Sequence, residues 1–215
     1  MTSFDPITLA VALALMSLVP VLVVCTTSFL KLAIVMSLVR NALGVQQIPP
    51  NIALYGLALI LSAYIMAPVT NRMADAVRDD PAALKSVTAM ASTLRDGAEP
   101  LRGFMVRHSQ PEQRDFFVRT AQRLWGAEMA ADVRGTDFLV LAPAFVVTEL
   151  TMAFQIGFLL FLPFIVIDLI VSNILLSMGM MMVSPVTISL PLKLFLFVSV
   201  DGWSKLIHGL ILTYA

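Results

Sequence analysis

Two long apolar stretches flank a polar segment in this sequence, and their length predicts helices rather than strands. The first stretch runs from Ile7 to Val39 and contains one charged residue, Lys31. A helix of that length would reach about 50 Å, beyond the roughly 30 Å hydrocarbon core of a membrane. We therefore expect Pro20, which lies inside the stretch, to kink or split it.

A second apolar helix follows a turn that contains two consecutive prolines. We expect Asn51 to cap its N-terminus and the helix to end at about Ala67, because Pro68 comes next. Residues 1–70 are therefore predicted to form an apolar helical hairpin.

The middle segment, residues 71–137, contains most of the charged side chains. It holds twenty of the chain's 28 charged residues (14 basic and 14 acidic), so it is compatible with water. Prolines follow Asp80, Glu99 and Gln110, and a proline is favoured at the first position of a helix. We predict a small soluble layer of two to four short helices.

The C-terminal arm, residues 138–215, resumes the apolar pattern. Its first stretch, 138–177, is interrupted by Pro143 and Pro163, and a last helix is predicted over about 191–212. Hydropathy gives about four spans in all. The predicted fold class is all-α: a membrane-type protein of kinked helical hairpins with a small soluble helical insertion.

The composition is that of a membrane protein or of a subunit buried in a large apolar assembly. Hydrophobic residues make up 59% of the chain and charged residues 13%, against about a quarter in soluble domains. Basic and acidic residues balance at 14 each, which removes the electrostatic case for binding nucleic acid. The single cysteine, Cys25, lies in an apolar run, where a thiol is more often a small hydrophobe than a nucleophile.

Three charged residues lie deep within the apolar stretches: Lys31, Glu149 and Asp168. An ionised group that faces lipid costs about 3 kcal/mol at mid-membrane, so these side chains are expected to face protein or water. They form either structural ion pairs, between helices or between subunits, or a proton or ion pathway. The pairs are favoured, because no histidine in these stretches would extend a relay.

Further charges lie on the last predicted helix. Asp201 precedes Lys205 by four residues, the favourable helical order for an ion pair, and Lys193 lies two turns earlier on nearly the same face. The pattern fits either a polar stripe or a row of charges that faces a partner.

The methionine-rich segment Met178 to Met182 is the most informative local feature. It contains Gly179 and ends at Ser184-Pro185, which predicts a loop or a broken helix. Non-helical backbone at membrane depth is tolerated only where protein buries it or where it lines a cavity. The flexible thioethers therefore form either core packing or a soft constriction in a conduit.

Signatures of catalysis are absent from the sequence. It contains no glycine-rich phosphate loop, no CxxC, no HExxH and no GxSxG, and His108 and His208 lack the spacing of metal ligands. We predict that the protein is not an enzyme and uses no cofactor or metal.

Motifs in both arms resemble the signatures of the SctR/FliP family. In the first arm they are TSFLKLAIVMSLVRNALG (27–44), QQ (46–47) and PPN (49–51). In the second arm they are APAF (142–145), EL (149–150), AFQIGF (153–158), LPF (162–164), IDL (167–169), MGMMM (178–182), Pro191, KL (193–194) and VDGW (200–203). The matches follow the family's order, and the middle segment is the variable part.

The resemblance implies a core component of the type III secretion export apparatus. Family members form a pentameric ring and assemble with SctS-like and SctT-like subunits, among other export apparatus and basal body proteins. Together these make a gated conduit through which unfolded substrates leave the cytoplasm, and its constricting gasket corresponds here to Met180, Met181 and Met182. Lys31, Glu149, Asp168, Lys193 and Asp201 are then predicted to be buried or to contact neighbouring subunits.

The resemblance also bears on location. It implies an assembly at the bacterial inner membrane, held largely at its periplasmic face, with the 71–137 insertion on that side. Two features favour the injectisome over the flagellum: no Lys or Arg precedes Lys31, so we expect no cleaved signal peptide, and LKL (30–32) with Asn41 is similar to SctR.

Three other functions remain as alternatives. They are a flagellar export component, a structural scaffold without a conduit, and a stand-alone channel or transporter. The last would require inverted repeats, which the two arms do not show.

Overall fold

The computed structural model describes residues 6–45, 47–78, 95–126 and 128–215, and every regular element in these ranges is an α-helix. Within them lie α1 (Pro6–Thr26), α2 (Phe29–Ala42), α3 (Asn51–Arg78), α4 (Glu99–His108), α5 (Pro111–Trp125), α6 (Phe138–Ser177), α7 (Pro185–Ser199) and α8 (Gly202–Leu212). The prediction of an all-α fold with several apolar helices is confirmed.

The chain divides into two compact units, each built from segments that are distant in sequence. Unit 1 comprises Met1–Leu30 and Ser62–Glu149, and unit 2 comprises Lys31–Leu61 and Leu150–Ala215. Helices α3 and α6 therefore contribute to both. The division into 1–70, 71–137 and 138–215 rests on composition and stays a prediction.

In unit 1, the first apolar stretch breaks at Thr27 and Ser28, whereas α1 continues through Pro20. The hydroxyls of Thr26 and Thr27 donate to carbonyl oxygens one turn earlier, at 2.7 and 2.6 Å. Ser28 Oγ instead donates to Ser62 Oγ of α3, at 3.1 Å. Hydroxyls compete with the backbone for hydrogen bonds, so a run of three weakens a helix locally. A split at Pro20 was therefore wrong, and a kink there stays a prediction.

The polar segment of unit 1 begins its two described helices at the predicted prolines. Helix α4 starts at Glu99 and α5 starts directly after Gln110, in both cases with proline in the first turn. These two helices lie within the predicted number, and the start predicted after Asp80 lies outside the described residues. The ring of Phe104 in α4 lies 5.9 Å from that of Phe145 in α6, and the N–H of Gln110 donates to Thr148 Oγ1 at 3.0 Å.

Prolines end fewer helices than predicted. Helix α3 continues through Pro68 to Arg78, and α6 is one helix of 40 residues through Pro143 and Pro163. The predicted end at Ala67 and the predicted interruptions of α6 were therefore wrong. In apolar helices, neighbouring helices and local adjustments satisfy the backbone groups that a proline frees.

The start of α3 also differs from the prediction. The backbone N–H groups of Ala53 and Leu54 donate to the carbonyl of Pro50, which makes Pro50 the capping residue and Asn51 the first helical one. Asn51 Oδ1 instead accepts a hydrogen bond from Arg40 Nη1, at 2.6 Å. The asparagine therefore ties the end of α2 to the start of α3.

The core of unit 2 is organised around α2. Leu32, Val35, Met36 and Val39 recur at the spacing of one helical face, and all four are buried. Helix α6 approaches this helix closely at Gly157, where a Cβ would overlap the side chain of Leu38.

The last predicted helix is two helices. Helix α7 already begins at Pro185 and ends at Ser199, and α8 follows at an angle of 61°. Asp201 lies between them with φ +54°, and a Cβ on Gly202 would overlap the ring of Phe197. A left-handed residue ends a helix, so a continuous helix over 191–212 was wrong.

Two described helical segments are long and apolar enough to cross a membrane, Asn51–Asp75 and Phe138–Ser177. The number rises to four if two broken pairs each form one span, Pro20–Thr26 with Phe29–Ala42 and Pro185–Ser199 with Gly202–Leu212. These segments agree with the apolar stretches found in the sequence.

Candidate functional site

The methionine-rich segment is a loop between α6 and α7, as predicted, and its first turn is built on Gly179. This glycine has φ +75°. Its N–H donates to the carbonyl of Leu176, and the N–H of Met180 donates to that of Leu175, at 3.0 and 2.9 Å. These two bonds define a Schellman motif, in which glycine takes the left-handed position without strain. The motif ends α6 and begins the loop.

The methionines of this loop lie outside the core of the chain. Met181 is 80% exposed and Met182 is 99% exposed, and Met180, at 40%, is the least exposed of the loop's methionines. An exposed cluster of large apolar side chains on such a loop marks a contact surface. Core packing within the chain's own fold, one of the two interpretations of this segment, does not apply to Met181 and Met182.

Below the loop, α6 and α7 are joined by an ion pair. Lys193 Nζ lies 2.6 Å from Asp168 Oδ2, and the other carboxylate oxygen accepts a hydrogen bond from Ser189 Oγ. The side chain of Lys193 is 5% exposed and that of Asp168 is 37% exposed. The cation is therefore the desolvated partner, and the carboxylate neutralises it.

Lys193 makes a third contact, to α2. Its ammonium donates to the carbonyl of Ala42, the last residue of that helix, at 3.4 Å. A cation is stabilised at a helix C-terminus, where the last carbonyls have no helical partner. One lysine thus connects three helices of unit 2. The sequence had grouped Lys193 with Asp201 and Lys205 rather than with Asp168.

Asp201 is exposed and belongs to a different local structure. It precedes α8 in the left-handed conformation, and its Oδ1 accepts a hydrogen bond from Ser204 Oγ at 2.9 Å. The prediction of a single stripe along one helix with Lys193 and Lys205 was wrong, because the break at Asp201 separates the two lysines. Burial of Asp201 within the chain was also wrong, and contact with another subunit stays a prediction.

The remaining two predicted charges are buried. Glu149 and Lys31 are each at most 1% exposed. The ammonium of Lys31 lies 3.7 Å from the centroid of the Tyr214 ring, a cation–π contact between α2 and the C-terminal residues. This contact stabilises a lysine charge inside an apolar unit.

An apolar cleft of about 440 Å³ lies at the bend between α7 and α8. Its wall is almost entirely hydrocarbon, with Lys205 as the charged residue. The lining consists of Val39, Leu160, Pro163, Phe164, Leu196, Phe197, Val200, Gly202, Lys205 and Leu206.

Helix α6 also carries an apolar surface that its own chain leaves uncovered. Large side chains more than half exposed recur along it: Phe154, Phe158, Leu159, Val166, Leu169, Ile170, Ile174 and Leu176. A contiguous surface of this kind requires lipid or another protein against it.

Sequence reasoning missed Ser189 and Tyr214. Ser189 lies four residues before Lys193, one helical turn away, so a polar pair on a shared face of an apolar helix was the available signal. Tyr214 gave no signal, because its contact with Lys31 depends on tertiary packing. Among the described residues, no three His, Cys, Asp or Glu side chains are grouped so as to hold a metal ion.

Comparison with known proteins gives a consistent result. The model of the FliP family matches residues 12–210. The chain is 51% identical over 210 residues to the Yop proteins translocation protein R of Yersinia pestis, covering 98% of this chain and 97% of that protein. It is 46% identical over 211 residues to the harpin secretion protein HrcR of Erwinia amylovora, with 98% and 97% covered.

A third relative is the virulence protein YscR of Salmonella typhimurium, 44% identical over 212 residues with 98% of each chain covered. These matches confirm the resemblance found in the two arms and the prediction of a type III secretion component, with the injectisome favoured over the flagellum. The family is a structural component of the secretion apparatus. The chain belongs to the FliP family.

Proposed function

We propose that this chain is a subunit of the export gate of an injectisome at the bacterial inner membrane. In this proposal, five copies form a ring, and the ring assembles with SctS-like and SctT-like subunits around a conduit for unfolded proteins. Met180, Met181 and Met182 from each copy form a gasket that constricts the conduit. The complex lies largely at the periplasmic face of the membrane.

The observation that carries the proposal is the exposure of the methionine loop. Burying a methionine side chain is worth about 1.5–3 kcal/mol, so leaving Met181 and Met182 in water is unfavourable for a lone chain. The loop stands on a rigid support, because the Schellman turn fixes its start and α7 begins directly after Ser184. Thioethers are flexible and polarizable, so a collar of them closes on itself and still yields to a passing chain.

The apolar surfaces support the oligomeric part of the proposal. Helix α6, at 40 residues, is about 60 Å long, twice the hydrocarbon core of a membrane. The exposed apolar side chains named above run from Phe154 to Leu176, about 33 Å, and need an apolar cover. In this proposal, neighbouring copies and the SctS-like and SctT-like subunits supply that cover together with lipid.

The proposed subunit is passive and not an enzyme. Its features are a pliable loop, apolar helix faces and paired charges, which serve assembly and sealing. Energy for export would come from other components of the apparatus.

Replacing Met180, Met181 and Met182 together with Ala tests the gasket. The smaller side chains leave a wider opening, so we expect ion leakage across the membrane of cells with the assembled apparatus, together with altered secretion. The control is Met129→Ala, which removes a methionine that is 75% exposed from the segment between α5 and α6. If leakage and secretion both stayed at wild-type levels in the triple variant, the gasket role would be wrong and a scaffold would be favoured.

A stand-alone channel or transporter is separated from the export gate by a second measurement. The chain is reconstituted alone in liposomes and ion flux is recorded. The proposal expects flux only when the partner subunits are present, whereas a stand-alone channel conducts without them.

A further inference from the structure

The ion pair that joins α6 to α7 is placed symmetrically about the methionine loop. Asp168 precedes Met180 by twelve residues, and Lys193 follows Met181 by twelve. The midpoint between the paired residues therefore lies between Met180 and Met181.

A second contact has the same symmetry. The rings of Phe164 and Phe197 lie 6.4 Å apart. Phe164 precedes Met180 by sixteen residues and Phe197 follows Met181 by sixteen, one helical turn farther from the loop. The two contacts together define an antiparallel hairpin in a single register, with these two methionines at its tip.

The polar contact specifies this register more strongly than the aromatic one does. A shift of α7 by three residues, about 4.5 Å, would bring Leu194 or Val200 against Phe164 and so keep an apolar contact there. The same shift would leave the ammonium of Lys193 without its carboxylate in a nearly water-free site. A buried polar pair thus fixes register where apolar packing alone is permissive.

Ser189 and Ala42 add to this selectivity. Ser189 engages Asp168 Oδ1 while Lys193 engages Oδ2, so two residues of α7, one turn apart, hold both oxygens of one carboxylate. Rotation of α7 about its axis would break at least one of these bonds. The contact from Lys193 to the carbonyl of Ala42 also fixes the position of α7 relative to α2.

We propose that Asp168, Ser189 and Lys193 form a register clamp, a set of positioning residues that sets which methionines stand at the tip of the loop. The inference rests on the proposed function, because a gasket needs the same side chains at the axis in every copy. The clamp acts on sealing through the loop and makes no contact with the exported chain.

Cysteine cross-linking in the assembled complex tests the register directly. Cys25→Ala removes the chain's single cysteine, and one new cysteine is then placed at each position from 178 to 184 in turn. Disulfide formation between copies gives a profile across the loop. With the clamp intact, we expect the profile to peak sharply at Met180 and Met181, the two positions at the tip of the hairpin.

The clamp is then replaced by an apolar pair, Asp168→Leu with Lys193→Met. This double variant leaves no unpaired charge, and such replacements of buried ion pairs are often neutral for stability. We nevertheless expect the cross-linking ratio of tip to flanking positions to fall roughly fivefold, the population change that corresponds to about 1 kcal/mol. Arg119→Met, which removes an exposed cation from α5, is expected to leave the profile unchanged.

The outcomes distinguish a failure of the clamp from a failure of the proposed gasket function. An unchanged sharp profile in a stable double variant would overturn the clamp and leave the gasket in place. If wild-type loop positions formed no cross-links between copies in the assembled complex, the proposed function would fail, and the clamp would fail with it.

Discussion

Removing the charge of Asp168 and removing that of Lys193 are expected to have unequal effects, because one partner of this ion pair is buried and the other is not. Asp168→Asn leaves a lysine whose side chain is 5% exposed, whereas Lys193→Met leaves a carboxylate that is 37% exposed. Water can solvate the second and has little access to the first.

The structure gives a magnitude for each change. Breaking a buried pair by removing one partner costs about 3–5 kcal/mol. In Asp168→Asn, the carbonyl of Ala42 and the C-terminus of α2 offset about 1 kcal/mol of this, so a loss of about 2–4 kcal/mol is expected. In Lys193→Met, the partly hydrated carboxylate resembles a surface partner, for which a loss of about 1 kcal/mol is typical.

The assay is thermal unfolding of the purified full-length chain in detergent, followed by helical circular dichroism. A difference of about 1–3 kcal/mol corresponds to about 3–9 °C for a chain of this length, so Asp168→Asn should have the lower Tm by that margin. Lys205→Met is the control for loss of a lysine and should stay near the wild-type Tm. Equal losses, or a larger loss in Lys193→Met, would show that the reasoning from burial is wrong.

Two further predictions concern packing in unit 2 and are checked by denaturant unfolding of the purified chain. Gly157→Ala should destabilise by about 1–3 kcal/mol, because its Cβ would overlap Leu38. The control is Gly56→Ala, because Gly56 is a helical glycine with open space around it. This variant should be neutral or more stable by about 0.5–1 kcal/mol. A similar loss of stability in both variants would contradict the close approach of α6 to α2 at Gly157. Tyr214→Leu should lose about 1–2 kcal/mol of cation–π stabilisation of the buried Lys31. Tyr214→Phe should keep most of this stabilisation, because the aromatic ring remains. Equal losses of stability in the Leu and Phe variants would show that the cation–π contact is not the cause of the loss.

The helical arms were predictable because the apolar pattern dominates them, but the breaks were not placed correctly. Proline was given too much weight at Pro20 and Pro68, where the helices continue. The true break at Asp201 carried a signal, since Asp-Gly is a turn dipeptide. The favourable four-residue spacing of Asp201 and Lys205 concealed it, because that spacing is meaningful only if the helix is continuous.

The candidate site was predictable only in part, because some of its features have local sequence signals and others depend on tertiary contacts. The methionine loop could be recognised from Gly179 and the Ser-Pro pair, which are local signals. The partner of Lys193 is 25 residues away, and only the geometry of a hairpin brings Asp168 to it. The equal distance of the two residues from the centre of the loop was the available clue. Tertiary contacts such as that of Tyr214 leave no such trace in a single sequence.

The most direct test of the account is single-particle imaging of the chain purified with its SctS-like and SctT-like partners. We expect a closed ring of several copies, with α6 covered by neighbouring subunits and the side chains of Met180, Met181 and Met182 converging on the central axis. A stable monomer in that preparation, or a ring whose methionine loops point away from the axis, would contradict it.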